Sequence, residues 1–200
     1  APGVDPTRIG DVIVGCAMPE AEQGMNVARI SLLLAGLPDT VPGYTINRFC
    51  SSGVQAVADA AVRIRLGDAD VMIAGGTESM SIMSQMMGNK IAMNPAFFEK
   101  DENLAIAYGM GLTAERIAAQ WAISRDDQDA FAQASHQKAC AAIKAGHFAA
   151  EISSYAVKLR VPDLKTGEVI VKDFLAETDE GPRPDSSLER LARLKRLAKL

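Results

Sequence analysis

No run in the 200-residue chain approaches the roughly 18 consecutive apolar residues that a membrane-spanning helix requires, so no transmembrane segment is expected. The first residues lack a charged-then-apolar pattern, so no secretory signal is visible. Position 1 is Ala rather than Met, which leaves open a leader removed or left out. Cysteine is scarce: Cys16, Cys50 and Cys140 are odd in number and show no CxxC spacing. That excludes a disulfide framework and a zinc site and fits a reducing compartment. Histidine is scarcer still. His136 and His147 have no Cys, Asp or Glu at a recognisable ligand or triad spacing and read as surface or helix-end residues. No metal site is expected. Basic excess is also missing, since the net charge of −4 gives no reason to expect nucleic-acid binding.

What is present is an ordinary globular composition, 48% hydrophobic, with room for one or two domains. The first part alternates strands and helices. Asp11–Gly15 reads as a strand, and Asn26–Ala35 as a helix stopped by Gly36 and Pro38. Gly43–Asn47 reads as a strand, and Val54–Ile64 as an Ala-rich helix ending at Gly67. Val71–Gly76 reads as a short buried strand. Such alternation predicts an α/β layer with mostly parallel pairing. The Gly75-Gly76 pair lacks both G-x-G-x-x-G spacing and a following Gly-Lys-Ser/Thr, so close backbone approach near the Cys50 helix explains it better than a phosphate loop.

From Met80 the character changes. Seven of the nine methionines fall at 72, 80, 83, 86, 87, 93 and 110, within or near an irregular stretch over 81–111. Methionine fills irregular gaps, so these residues are either packing filler or the lining of a pocket for a variable apolar tail. Thr113–Trp121 and Ser124 to about Ala145 predict two helices, the second opened by a capping-box-like Ser124-Arg125-Asp126-Asp127. Residues 155–175 read as two extended pieces around a Lys165-Thr166-Gly167 turn, followed by a connector over Asp179–Asp185. Leu188, Leu191, Leu194 and Leu197 form a stripe that would dock on a larger body. From Arg183 to Leu200 there are six basic and two acidic residues, a region that would draw an anion.

Cys50 is the candidate for chemistry. It lies where the apolar strand turns into the Ala-rich helix, flanked by small Ser and Gly residues. At a helix N-terminus unpaired amides and the helix dipole favour an anion, so a thiol there becomes a thiolate more readily. The same amides would hold an oxyanion when the sulfur attacks a carbonyl. Cys16 and Cys140 sit in packing contexts and read as small buried residues.

The sequence resembles the thiolase family, specifically the degradative 3-ketoacyl-CoA thiolases. The matching blocks are Val41-Pro-Gly-Tyr-Thr-Ile-Asn-Arg-Phe-Cys-Ser-Ser-Gly53, Ala74-Gly-Gly-Thr-Glu-Ser-Met80 and Met110-Gly-Leu-Thr-Ala-Glu-Arg-Ile-Ala118. Ser124-Arg-Asp-Asp-Gln-Asp-Ala-Phe-Ala132 and Asp179-Glu-Gly-Pro-Arg-Pro-Asp185 extend the match. The resemblance implies a layered α/β fold, part of the thiolase N-terminal domain, with an inserted, mainly helical loop domain. It places the nucleophile-bearing part at residues 1–80 and a coenzyme A-binding loop domain at 81–200. Cys50 then matches the cysteine acylated during turnover, Met110 a methionine along the pantetheine path, and Arg183 a basic residue near the nucleotide end of CoA.

Short-chain biosynthetic members carry His before that methionine, where this chain has Gly109, which tilts the resemblance towards a degradative enzyme. After Lys195 the family usually continues with Pro, and here Arg196 follows. The family's opening strand and helix, and its Asn-Glu-Ala-Phe, Gly-His-Pro and Cys-x-Gly-Gly-Gly segments, find no match in these residues. Those segments supply the oxyanion-hole asparagine, the base and the second cysteine. The expected function is therefore an acyltransferase of the β-oxidation type, using CoA as a substrate with no separate cofactor, as a homodimer or homotetramer. These 200 residues alone are expected to be inactive and to fold poorly, with the strands at 12–14 and 71–74 uncovered. The alternatives are a biosynthetic acetyl-CoA acetyltransferase, a non-catalytic CoA-binding fragment distinguishable by intact mass, and a redox-sensing cysteine protein. The location would be cytoplasmic in a bacterium, and mitochondrial or peroxisomal in a eukaryote.

Overall fold

Strand β1 (Ile9–Gly15) is the middle of a three-stranded parallel sheet of order β2-β1-β3, with β2 at Gly43–Ile46 and β3 at Val71–Gly76. Its Val/Ile run is buried on both faces, as a central parallel strand requires. Successive side chains point to opposite faces. Val12 joins Leu32 of helix α1 (Val27–Leu34) and Val41, while Ile13 joins Ala56 and Ala60 of helix α2 (Ser52–Arg65). Ile9 belongs to the Val12 cluster despite its odd spacing, because the register shifts between Ile9 and Asp11. The expectation that residues 12–14 lie uncovered is thus corrected: one helix covers each face. Val71–Gly76, by contrast, is not the buried strand expected: among the described residues it is an edge strand, half-exposed along its length, with Ile73 at 40%.

Local chemistry fixes both helices. The Asn26 Oδ1 caps α1 by accepting from the Arg29 N–H at 3.3 Å, and its Nδ2 donates to the Gly43 carbonyl at 2.8 Å, tying the helix start to β2. Helix α2 ends at Gly67, which takes φ +74°. The Asp68 N–H reaches the Arg63 carbonyl at 3.0 Å and the Gly67 N–H the Ile64 carbonyl at 3.1 Å, closing a Schellman motif. Arg63 then bridges Asp68 and the buried Asp11 of β1, each at 2.6 Å.

The computed structural model describes residues 3–81, 94–101 and 109–195, and the chain divides into the units Ala1–Met93 and Asn94–Leu200. The sequence placed its division after residue 80. Met83, Met86, Met87 and Met93 lie outside the described residues. The second unit holds α3 (Met110–Gln120), α4 (Arg125–Lys144), an antiparallel hairpin of β4 (Tyr155–Pro162) and β5 (Val169–Ala176), and α5 (Leu188–Ala192). Helix α3 starts three residues before the predicted Thr113. The capping box on α4 forms as read, with Ser124 Oγ accepting from the Asp127 N–H at 3.1 Å and Asp127 Oδ2 from the Ser124 N–H at 3.3 Å. Arg125 joins α4 to α5, pairing with the buried Asp129 at 2.8 Å and donating to the Leu191 carbonyl at 2.6 Å. The helix under the leucine stripe ends at Ala192, so Leu194 lies past it. Leu188 and Leu194 are 47% and 60% exposed, and Leu197 lies outside the described residues.

Candidate functional site

Cys50 lies two residues ahead of α2 on a tight elbow, exposed and in no disulfide among the described residues. The elbow turns on Phe49, which adopts φ +48°, a left-handed conformation that costs a non-glycine residue about 1–2 kcal/mol. Its backbone is held from both sides. The Phe49 N–H donates to Asn47 Oδ1 at 2.9 Å, and its carbonyl accepts from the Ser52 N–H at 3.0 Å and Ser52 Oγ at 2.6 Å. Ser52 Oγ in turn accepts from the Arg48 N–H at 2.8 Å. The Ser51 N–H donates to the Arg48 carbonyl at 3.2 Å. The expectation that the amides beside Cys50 hold an oxyanion is corrected for Ser51 and Ser52: the elbow closes on itself and uses both.

Beneath the elbow, backbone runs against backbone. A Cβ on Gly15 would fall 2.4 Å from the Ser52 carbonyl carbon and 2.6 Å from the Gly53 nitrogen. One on Gly76 would sit 3.4 Å from the Gly15 oxygen and 3.7 Å from the Gly53 Cα. The close approach read from the Gly75-Gly76 pair therefore belongs to Gly76, and the tightest point is Gly15 of β1.

A polar group the sequence did not signal supports the segment after β1. Glu78 accepts from the Ala17 N–H and from Gln23 Nε2, each at 2.7 Å, and Cys16 Sγ lies 3.8 Å from it. The buried Gln23 also accepts from the Ser79 N–H at 2.8 Å and donates to the Met18 carbonyl at 2.8 Å. Asn47 Nδ2 donates to the Ala17 carbonyl at 3.0 Å, so the segment held by Glu78 is also the one that steadies the Asn47 under Phe49. Glu78 falls inside the Ala74–Met80 block, but nothing local marks this role beyond the acid and amide flanking two apolar strand ends.

The three cysteines differ in access. Cys50 is exposed, Cys140 intermediate rather than buried as expected, and Cys16 is 1% exposed. Burial, aided by the charge of Glu78, pushes the Cys16 thiol up from its ordinary range. Limiting iodoacetamide should label Cys50 first and Cys16 last, read by peptide mapping. Faster labelling of Cys16 would count against this order.

Cys50 belongs to the first unit, and Met110 and Arg183 to the second. Met110 opens α3 after Gly109 and is 71% exposed. Arg183 is exposed on the connector before α5, and its guanidinium makes no ion pair among the described residues. Its backbone is held by His136 of α4, half-buried rather than a plain surface residue, whose Nδ1 accepts from the Arg183 N–H at 3.1 Å. A cleft of about 700 Å³ opens between Ile143, Phe148 and Ile152 on one side and Glu177 to Asp179 on the other, and neither Met110 nor Arg183 lines it. Among the described residues no cluster of His, Cys, Asp or Glu could hold a metal, and no helix is long and apolar enough to cross a membrane.

The family described as thiolase, N-terminal domain, matches residues 1–198. The 3-ketoacyl-CoA thiolase of Bacillus subtilis is 47% identical over 94% of this chain and 47% of its own length. The beta-ketoadipyl-CoA thiolase of Pseudomonas aeruginosa is 42% identical, over 97% of this chain and 49% of its own. A crystal structure of the Bacillus anthracis acetyl-CoA acetyltransferase superposes with a TM-score of 0.74 at 36% identity, covering 96% of this chain and 48% of that one. The chain thus spans about half the length of the relatives it matches.

Proposed function

The chain belongs to the thiolase family, and from that membership we propose that it carries the nucleophile and part of the CoA site of a degradative 3-ketoacyl-CoA thiolase. The observation that carries this reading is the exposed Cys50 on its braced elbow ahead of α2. The Cys50 thiolate attacks the 3-keto carbon of a 3-ketoacyl-CoA. The bond between C2 and C3 breaks, and acetyl-CoA leaves as an enolate that takes up a proton. The shortened acyl group remains on sulfur as a thioester. A second CoA, losing its thiol proton, attacks that thioester, releasing the shortened acyl-CoA and restoring the Cys50 thiolate. Proton transfer falls to groups outside these 200 residues. Residues 81–200 act as the CoA-holding part, with Met110 along the pantetheine and Arg183 near the phosphate-bearing end. CoA is a substrate and no separate cofactor takes part. The protein works as a homodimer or homotetramer.

Gly109, where biosynthetic members have His, supports the degradative direction and a broader acyl range. The similarity to an acetyl-CoA acetyltransferase supports the second reading, synthesis or cleavage of the four-carbon substrate. In a protein that also supplies those proton-transfer groups, comparing thiolysis of acetoacetyl-CoA with that of a long-chain ketoacyl-CoA separates them: comparable or faster turnover of the long chain is expected, and turnover of acetoacetyl-CoA alone would reject the degradative reading. Arg183→Ala should raise KM for CoA about tenfold with a smaller change in kcat, as loss of a binding cation does. An unchanged KM would remove Arg183 from the site.

A further inference from the structure

We propose that His136 is a positioning residue for Arg183, holding the Arg183 backbone from α4 so that its guanidinium is presented to the phosphate-bearing end of CoA. The inference rests on the CoA reading of Arg183 and names how that residue is set in place. A backbone N–H can only donate, so the 3.1 Å contact makes His136 Nδ1 the unprotonated ring nitrogen and leaves the proton on Nε2. The imidazole is therefore an acceptor for the connector rather than a cation for the ligand.

The rest of the connector is tied down on either side of this point. Before it, Asp179 Oδ1 accepts from the Gly181 N–H at 3.0 Å, and after it Asp185 pairs with Arg190 of α5. The Ser186 N–H returns to the Arg183 carbonyl at 3.3 Å. Between these turns the His136 contact alone anchors the Arg183 N–H to a long helix, twelve residues into α4. A flexible cationic side chain on an unanchored loop loses affinity to the cost of ordering that loop. Fixing the backbone beforehand removes that cost, while the guanidinium remains exposed and unpaired among the described residues, free to meet an anion.

The test uses the full chain with CoA as probe, by calorimetry, together with hydrogen exchange at the Arg183 amide. His136→Ala should weaken CoA binding about fivefold and remove protection at that amide, the expected effect of losing one hydrogen bond. In His136→Asn the amide oxygen lies near the place of Nδ1, so binding and protection should return to near wild type. In an Arg183→Ala background, His136→Ala should cause no further loss, because the histidine acts through that arginine. Additive losses in the double variant would overturn the inference, since they would put His136 on the ligand itself. So would unchanged affinity in His136→Ala while Arg183→Ala weakens binding, a result that leaves the CoA role of Arg183 standing. If Arg183→Ala leaves CoA affinity unchanged, that role falls, and the inference with it.

Discussion

Cys50→Ser should abolish the covalent acyl adduct while leaving the fold intact. Incubation with a ketoacyl-CoA followed by intact mass measurement should give the acyl increment on the wild-type protein and none on the variant. The exchange is nearly isosteric, and the side chain it changes is exposed, so unfolding should shift by no more than about 0.5 kcal/mol. Chemistry should respond far more strongly. A serine hydroxyl at neutral pH is a weak nucleophile unless a neighbouring base activates it. Both histidines belong to the second unit, where His136 is bonded to the Arg183 backbone and His147 is exposed beyond α4. The adduct should form on the order of a thousandfold more slowly or not at all, which corresponds to about 4 kcal/mol. A variant that still forms a stable adduct would remove Cys50 from the nucleophile's role.

Gly15→Ala should be the most damaging small substitution in the first unit. The added methyl would meet the Ser52 carbonyl carbon at 2.4 Å and its oxygen at 2.6 Å, both backbone atoms of the first turn of α2. Backbone cannot rotate aside, so α2 must lift from β1 and drag the elbow with it. Overpacking of this kind costs about 3 kcal/mol, a large part of a domain's total stability. The melting temperature should fall by about 10 °C, and labelling of Cys50 should change with it. Gly75→Ala supplies the control, since nothing lies within 4 Å of a Cβ built there. It should move stability by less than about 0.5 kcal/mol. Equal losses in the two variants would show that strand propensity, not the clash, is responsible.

The alternation of strands and helices was legible because each element carries its own punctuation. Gly36 and Gly67 stop α1 and α2 in the left-handed conformation, and Ser124 with Asp127 opens α4. The position of Cys50 was legible for the same reason, since an apolar strand ends and a small-residue helix begins around it. What remained hidden depends on residues brought together from far apart in the chain. Glu78 and Ala17 meet only because β1 and β3 are neighbours, and the resulting support for Asn47 leaves no local pattern. His136 showed no partner by spacing because its partner is a backbone amide, which any residue type supplies. The cover over residues 12–14 is not legible because periodicity says that a strand is apolar, not how many helices reach it. The start of α3 was placed late because Gly109 caps it without a side chain.

The order in which the two sheets are paired sets how the chain can fold in time. Strands β4 and β5 are joined by a short turn, with Pro162 opposite Val169, and a hairpin of that kind closes in about 1–10 μs. Strand β1 has no such neighbour. Ile9 must wait for Val71 and Val12 for Gly43, so its two ladders close large loops before any contact offsets the lost chain entropy. On a ribosome, β1 emerges before both of its partners and is completed only when β3 has followed. Until β3 arrives, its Val12-Ile13-Val14 run is an open parallel edge, a stretch that shielding by a chaperone would protect.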